Sequence, residues 1–515
     1  MNELTIREKI HSLIHFIALA GTATGLTFSK AVMSLALVLG IVNLFATGQF
    51  KSIYENLRSS RPFHLIALLY CVHIIALFWS HDLAYGINDL RIKLPLLVLP
   101  VILFAKPPSQ HQLKLLLYLF IAGLLTTTIF NYLAYNELIG NYKYDDIRGL
   151  SLFGSHIRFG ILVAIGALIC LYNLVKHDRF KALHLVLFIW FAYYTYFSQI
   201  ISGNLALLTG IFGFIFFQLF QKNRKVAVTF LLLSTILPLI VLSYFFLSPT
   251  QKIEVNEQDL PKETIEGNPY THDFVEHRDT KGNLLYINLS DKELKREWAK
   301  VSDLSYDGTD MKGQPVRTTL IRYMTSMGLM KDAEGFRKLT PQDIKNIERG
   351  IAENEDGKRG LIARINGIKY QLNNNHEPNG HSLLQRVEYW RTGWNIIQFN
   401  WLFGVGTGDV QLAFNEHYER NNSLLREENR KRAHNQFLTF WISFGIVGLA
   451  IFLYLIWYYL QTTLKKGQLI GFVFMLIACS SFLLEDTLET QTGVTLFAFF
   501  YSVFLLLEPR ISPRT

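Results

Sequence analysis

Long apolar runs are the feature of this sequence that most constrains its fold. A helix needs about 20 mostly apolar residues to cross the roughly 30 Å hydrocarbon core of a bilayer. Windows of this kind recur near residues 10–28, 31–49, 63–80, 90–105, 110–134, 157–175, 183–200, 203–220, 226–248, 436–460, 468–484 and 492–507. We therefore predict an α-helical polytopic membrane protein with about 12 transmembrane helices.

The composition agrees with this prediction and excludes other classes. Half of the 515 residues are hydrophobic and 18% are charged, whereas soluble domains carry roughly 25% charged residues. A disordered chain and a typical soluble enzyme are both excluded by these values. The three cysteines, Cys71, Cys170 and Cys479, all lie in apolar runs, where a free thiol behaves as a small hydrophobic group.

Lysine and arginine in the short loops predict the orientation, because cytoplasmic loops are enriched in them. With the N-terminus in the cytoplasm, every loop on that side carries such residues, whereas 201–203 and 485–491 on the other side carry none. We therefore expect both termini in the cytoplasm; in a Gram-negative cell, the chain would then lie in the inner membrane. The opposite loops then face the periplasm.

One hydrophilic block, residues 249–433, interrupts the apolar runs. It contains 27 Lys and Arg against 28 Asp and Glu, so the net charge of +9 resides in the membrane part and does not indicate nucleic-acid binding. We predict three parts: nine helices in 1–248, a large periplasmic α/β loop domain in 249–433, and three helices in 434–515. Within the block, 284–289 is strand-like, and helices are predicted to begin at Ser290 and Thr340.

Ionisable residues at the outer membrane edge are candidate functional residues, because burying them is costly. They are Arg148, His156, Arg158, Arg386, Arg391, Arg432, His434, Glu485 and Asp486. Guanidinium groups suit a diphosphate, and a neutral histidine beside them can accept a proton from a hydroxyl. The alternative is that the arginines reach lipid headgroups while His434 caps a helix.

Two further motifs precede His434. Residues 383–399 read as a helix rich in Trp and Tyr, which suits a membrane interface or a sugar-binding rim. The glycines of Gly404-Val-Gly406-Thr-Gly408 lack the flanking pattern of a dinucleotide site, and we predict a tight turn there.

These motifs together resemble the O-antigen ligase and O-antigen polymerase superfamily. His434-Asn435, nine residues and then Gly445-Ile-Val-Gly448 match its H-N-x9-G-x-x-G pattern. The segments 386–390 and 401–408 resemble the family's R-x3-W helix and G-V-G-x-G turn, and 148–156 and 484–489 are similar to two further family segments. The topology, with one large loop before the histidine motif, is also similar.

The resemblance implies a metal-independent, cofactor-free glycosyltransferase of the GT-C type. It would transfer a glycan from undecaprenyl diphosphate to a sugar hydroxyl of lipid A–core, and the configuration at the anomeric carbon would be inverted. Membrane lipids would surround the protein. The implied catalytic residues are His434 and Arg386. The implied diphosphate ligands are Arg148, Arg158, Arg386 and Arg391, although Arg391 lies about 140° around the helix from Arg386. Acceptor-binding or supporting residues are Asn435, Tyr389, Trp390 and Glu485.

Several alternatives share this donor chemistry. An O-antigen polymerase would use another lipid-linked glycan as acceptor, and a protein O-oligosaccharyltransferase would use Ser or Thr. A transporter or flippase belongs to a different class. Such proteins often contain internal repeats and broken helices at the midplane, whereas this sequence shows no clear repeat and its polar residues cluster at the outer edge.

Overall fold

The chain folds into two compact units. The computed structural model describes residues 5–140, 150–151, 155–176, 179–247, 253–274, 277–279, 282–311, 313–354, 378–379 and 382–507. The membrane unit comprises Met1–Leu233, Tyr389–Arg420 and Lys431–Thr515, and the hydrophilic unit comprises Ser234–Glu388 and Asn421–Arg430. The boundaries at 248 and 433 stay a prediction.

Helices account for nearly all regular structure in the described residues. In chain order they are α1 (Ile6–Phe28), α2 (Lys30–Ala46), α3 (Phe50–Ser59), α4 (Arg61–Ile75), α5 (Leu83–Lys93), α6 (Pro95–Ala105), α7 (Gln110–Tyr135), α8 (His156–Val175), α9 (Lys181–Phe197), α10 (Ile201–Lys222), α11 (Arg224–Leu247), α12 (Asp291–Trp298), α13 (Val316–Ser326), α14 (Ala333–Arg337), α15 (Pro341–Glu348), α16 (Ser382–Phe399), α17 (Val410–Arg420), α18 (Gln436–Lys465), α19 (Leu469–Leu484) and α20 (Gln491–Leu506).

Apolar helices long enough to cross a bilayer confirm a polytopic membrane protein. Among the described residues, six helices meet that requirement: Ile6–Phe28, Arg61–Trp79, Gln110–Tyr135, His156–Val175, Ile201–Lys222 and Gln436–Lys465. The pair α2 and α3, bent by 115°, forms a seventh span if counted as one. Two shorter apolar helices, α19 and α20, follow the last of these. The total of about 12 spans stays a prediction.

The structure replaces the single span expected at 90–105 by two helices. Pro95 stands at the first position of α6, where its missing N–H costs nothing, and the preceding helix α5 ends at Lys93. The 11 residues of α6 extend about 16 Å, which is too short to cross a bilayer. The polar end of α5 instead belongs to an ionic cluster described below.

The hydrophilic unit is built from short helices around a small core that includes Trp298, Leu320 and Ile347. The expected α/β character is not confirmed, because the described residues of this unit contain isolated bridges and no strand. The strand-like segment at 284–289 forms bridges only at its two ends, Leu284 and Leu289.

Both helices predicted to begin in this unit are present. Thr340 and Asp343 form the capping box that starts α15. Ser290 precedes α12, but its side chain makes no capping bond. The Glu293 carboxylate does not bind the start of this helix. It accepts hydrogen bonds from the Thr264 hydroxyl and the Ala333 N–H, at 2.5 and 2.8 Å. The helix predicted to begin at Ser290 is therefore present, but no side-chain cap starts it.

A glycine turn packs into a break in helix α18. Gly445 has φ 64° and ψ −167° inside that helix, which leaves backbone groups free of the helical pattern. The turn supplies the partners: Val405 and Gly406 donate their N–H groups to the carbonyls of Ile442 and Ser443, at 2.8 and 2.9 Å. The tight turn predicted at 404–408 is confirmed, and it fixes the outer part of α18.

Gly445→Ala is expected to destabilise the membrane unit strongly. An added Cβ would lie 2.0 Å from the Leu402 carbonyl oxygen. Gly467 is the matched control, since it has a similar φ of +69° and nothing within 4 Å of an added Cβ. Both substitutions strain the backbone, by about 1–3 kcal/mol for a residue held in a sparsely populated region, and overpacking at Gly445 adds about 1–3 kcal/mol. Thermal unfolding of the detergent-solubilised protein measures the difference; equal losses would contradict the close contact.

Candidate functional site

His434 occupies an unusual backbone conformation at the entrance to α18. Its φ is +47°, a value that non-glycine residues adopt only where surrounding contacts enforce it. The His434 N–H donates to Asp486 Oδ2 at 3.1 Å. The next residue, Asn435, caps the helix by accepting from the N–H groups of Phe437 and Leu438. Helix capping thus falls to Asn435, and the His434 side chain is left available for another role.

The imidazole of His434 is oriented by a carboxylate and an aromatic ring. Its Nδ1 lies 3.2 Å from Glu485 Oε2, and its ring centroid is 5.6 Å from that of Tyr389. In the tautomer that carries its proton on Nδ1, the ring donates to the carboxylate and Nε2 keeps its lone pair. The side chain is one-third exposed. Such an imidazole can accept a proton from a hydroxyl group.

Trp390 anchors the segment just before the histidine, as its indole N–H donates to the Ala433 carbonyl at 2.9 Å. The opposite side of the cluster is held by Asp486, which also accepts from the Thr439 hydroxyl at 2.7 Å. The structure therefore brings Tyr389, Trp390, Asn435 and Glu485, four of the predicted supporting residues, into contact with His434 or its neighbours.

Arg158 provides positive charge close to this cluster. It lies in the first turn of α8 and interacts electrostatically with Glu485 and Asp486. Its Nε is buried without a hydrogen-bond partner among the described residues. The side chain lines a small pocket together with Ser29, Lys30, Ser155 and Thr492. A guanidinium with an unused donor, surrounded by hydroxyls and a second cation, suits an anionic group such as a phosphate.

Comparison with known families identifies part of this site. Residues 340–453 match the family model described as O-antigen ligase. These residues are similar to the O-antigen ligase family. The resemblance predicted from the sequence motifs is therefore confirmed. A comparison with curated proteins found no match.

The matched residues contain His434 but only part of its surroundings. They extend from the start of α15 through the glycine turn to the middle of α18. Glu485 and Arg158 lie outside the matched residues; Glu485 contacts His434, and Arg158 interacts electrostatically with Glu485. The cluster around the histidine is consequently a property of the membrane unit as a whole.

Two of the remaining predicted arginines lie on α16. Arg391 is exposed on α16. Arg386 lies on the portion of the same helix that belongs to the hydrophilic unit, where it is half-buried. Arg148 lies outside the described residues. Within those residues, no group of three or more His, Cys, Asp and Glu side chains is arranged to hold a metal ion.

A buried ionic cluster beside the O-antigen ligase motif was missed in the sequence. Glu489 accepts from Lys93 at 2.8 Å and from Arg432 at 3.2 Å, and Lys93 also donates to Asp89 at 2.5 Å. Burial would raise the pKa of Glu489, but the charges of Lys93 and Arg432 outweigh it and lower the pKa. Lys93 was the available signal, since a lysine within an apparent apolar window marks a polar environment.

The Asp409 carboxylate holds the glycine turn at 404–408 in place. Asp409 accepts from the N–H groups of His81 and Asp82, at 2.8 and 2.9 Å, and lies 2.8 Å from the His81 ring. Burial would raise the pKa of Asp409, but the hydrogen bonds from the Asp82 and His81 backbone outweigh it and lower the pKa. The turn is thereby attached to the end of the Arg61–Trp79 span.

Proposed function

We propose that this protein is a membrane glycosyltransferase of the O-antigen ligase type, which transfers a glycan from undecaprenyl diphosphate to a sugar hydroxyl of lipid A–core. The observation that carries the proposal is the pairing of His434 with Glu485, 3.2 Å apart, in a chain with an O-antigen ligase domain. The proposed location is the bacterial inner membrane, with His434 on the periplasmic side, where a lipid-linked glycan would be used.

The proposed reaction is a single inverting displacement. Nε2 of His434 accepts the proton of the acceptor hydroxyl as its oxygen attacks the anomeric carbon of the donor. The bond between that carbon and the diphosphate oxygen breaks at the same time, and undecaprenyl diphosphate leaves with the electron pair. Arg158 supplies positive charge where negative charge develops, which is the effective position for stabilising a transition state. Arg386 is proposed as a second diphosphate ligand on the strength of the family motif.

Deleting the gene and profiling the surface glycans tests the acceptor. Lipid A–core without polymer, together with accumulated lipid-linked polymer, supports the ligase. Single repeat units on lipid A–core would indicate a polymerase, and intact lipopolysaccharide with missing protein glycans would indicate a protein O-oligosaccharyltransferase. Unchanged glycans with blocked export of a small solute would indicate a transporter. Complementation with the wild-type gene is the control.

Glu485→Gln is expected to lower the transfer rate about 10- to 100-fold while the protein remains in the membrane at the wild-type level. The neutral amide no longer balances the positive charge that His434 gains during proton transfer, although it preserves the shape of the side chain. Glu485→Asp, which keeps the charge, should retain more activity. Transfer from purified lipid-linked donor measures both variants. Equal activity of Gln and Glu at this position would contradict the role assigned to the carboxylate.

A further inference from the structure

Glu489 holds the chain on both sides of His434. Its Oε2 accepts from Arg432, two residues before the histidine, at 3.2 Å. Its Oε1 accepts from the Gln436 side-chain amide, two residues after the histidine, at 3.1 Å. The side-chain oxygen Oε1 of Gln436 in turn accepts from the Leu488 N–H at 2.7 Å. The Glu489 carboxylate therefore binds the side chains of residues 432 and 436, and the N–H of the preceding residue, Leu488, also binds residue 436.

The position of Glu489 is itself fixed from a third direction. Lys93, at the end of α5, donates to Glu489 at 2.8 Å and to Asp89 at 2.5 Å. Lys93 and Glu489 are both almost fully buried. Two cations, Lys93 and Arg432, face the carboxylates of Asp89 and Glu489, and the buried Asp486 carboxylate also interacts electrostatically with Arg432. Removing one member of this cluster would leave a buried charge uncompensated.

These contacts distinguish the two arginines near the site, both of which are half-buried. The Arg432 guanidinium is engaged by Glu489, whereas the Nε of Arg158 has no hydrogen-bond partner among the described residues and lines a pocket. Arg158 is thus suited to a substrate phosphate, and Arg432 to holding the protein backbone.

We propose that Glu489 is a positioning residue, which acts through Arg432 and Gln436 to hold His434 in its left-handed backbone conformation. That conformation is unfavourable for a histidine unless neighbouring contacts enforce it, and the contacts of residues 432 and 436 with Glu489 flank it on both sides. The hydrogen bond from the His434 N–H to Asp486 completes the restraint. The role in catalysis rests on the proposed function, whereas the restraint itself does not.

Gln436→Leu tests the restraint with a matched control. Gln436 and Gln468 are both buried glutamines of the membrane unit, and Gln468 donates to the carbonyls of Leu505 and Leu507, far along the chain from His434. Gln436→Leu and Gln468→Leu therefore remove similar buried hydrogen bonds, and only the former touches the segment that contains the histidine. Both variants are made in the full-length protein and purified in detergent.

Two readouts are compared between the variants. In Gln436→Leu, we expect kcat for glycan transfer to fall about 100-fold, with the donor KM within about twofold of wild type. We also expect faster hydrogen–deuterium exchange of the amides in 432–436, because the restraint on the His434 N–H is lost. Gln468→Leu should leave both quantities close to wild type.

The outcomes distinguish the two proposals. If Gln436→Leu kept the exchange protection of 432–436, or lost kcat no more than Gln468→Leu, Glu489 would not be a positioning residue. Glu489→Gln, which preserves an oxygen acceptor for Gln436, should fall between wild type and Gln436→Leu in exchange. A wild-type protein without transfer activity would overturn the proposed function, and the exchange data would still decide whether the restraint exists.

Discussion

In His434→Ala, we expect the rate of glycan transfer to fall about 100- to 10,000-fold, which is the range assigned to a general base. The remaining activity is expected to lie near the detection limit of a purified assay. The reason is that Nε2 of His434 is the proton acceptor for the attacking hydroxyl, while Nδ1 is occupied by Glu485. The assay follows transfer from lipid-linked donor to lipid A–core, and surface glycans from complemented cells provide a second measurement.

A second variant separates the lost base from the strained backbone. Alanine tolerates the φ of +47° at this position poorly, whereas asparagine adopts such values more readily. His434→Asn should therefore accumulate in the membrane like wild type and still fail to transfer glycan. His111→Ala, at an exposed histidine in the first turn of α7, is the control and should retain full activity. Activity of His434→Asn within threefold of that control would exclude His434 as the base.

Arg158→Ala lowers transfer by about 100- to 1,000-fold, the loss expected when a charge-stabilising group is removed from a transition state. Its guanidinium lines a pocket and interacts electrostatically with Glu485 and Asp486 of the His434 cluster. Because the diphosphate interacts with it before and during bond breaking, both a higher donor KM and a lower kcat are expected. Arg158→Lys keeps the charge but loses the forked geometry, and should give an intermediate rate.

Arg391→Ala provides the comparison for Arg158. Arg391 was also predicted as a diphosphate ligand, but it is exposed on α16. We expect Arg391→Ala to change the transfer rate less than Arg158→Ala does, measured with the same donor in the same detergent. A larger loss in Arg391→Ala would place the diphosphate along α16. Membrane levels of all variants are measured by immunoblot, so that a folding defect is recognised.

Much of the local structure was predictable from neighbouring residues in the sequence. The apolar windows gave the bounds of helices such as α7 and α10 within a few residues, and the helix predicted to begin at Thr340 is present. The Gly404–Gly408 turn was also predicted. These features depend on hydrophobic periodicity, caps and glycine conformations, all of which are decided by residues within about four positions of each other. The single span predicted at 90–105 was wrong. Apolar composition alone does not reveal that the chain breaks after Lys93, whose buried ammonium group binds Asp89 and Glu489.

The sequence by itself determined that this is a membrane protein with an O-antigen ligase motif, and that a histidine begins the helix after the hydrophilic block. Only the tertiary structure decided what surrounds that histidine. Glu485 lies 51 residues from His434, and Lys93 lies 396 residues from Glu489. Residues this distant in the sequence meet only when the helices pack against each other. Burying their charges is tolerated because each charge then contacts an opposite one.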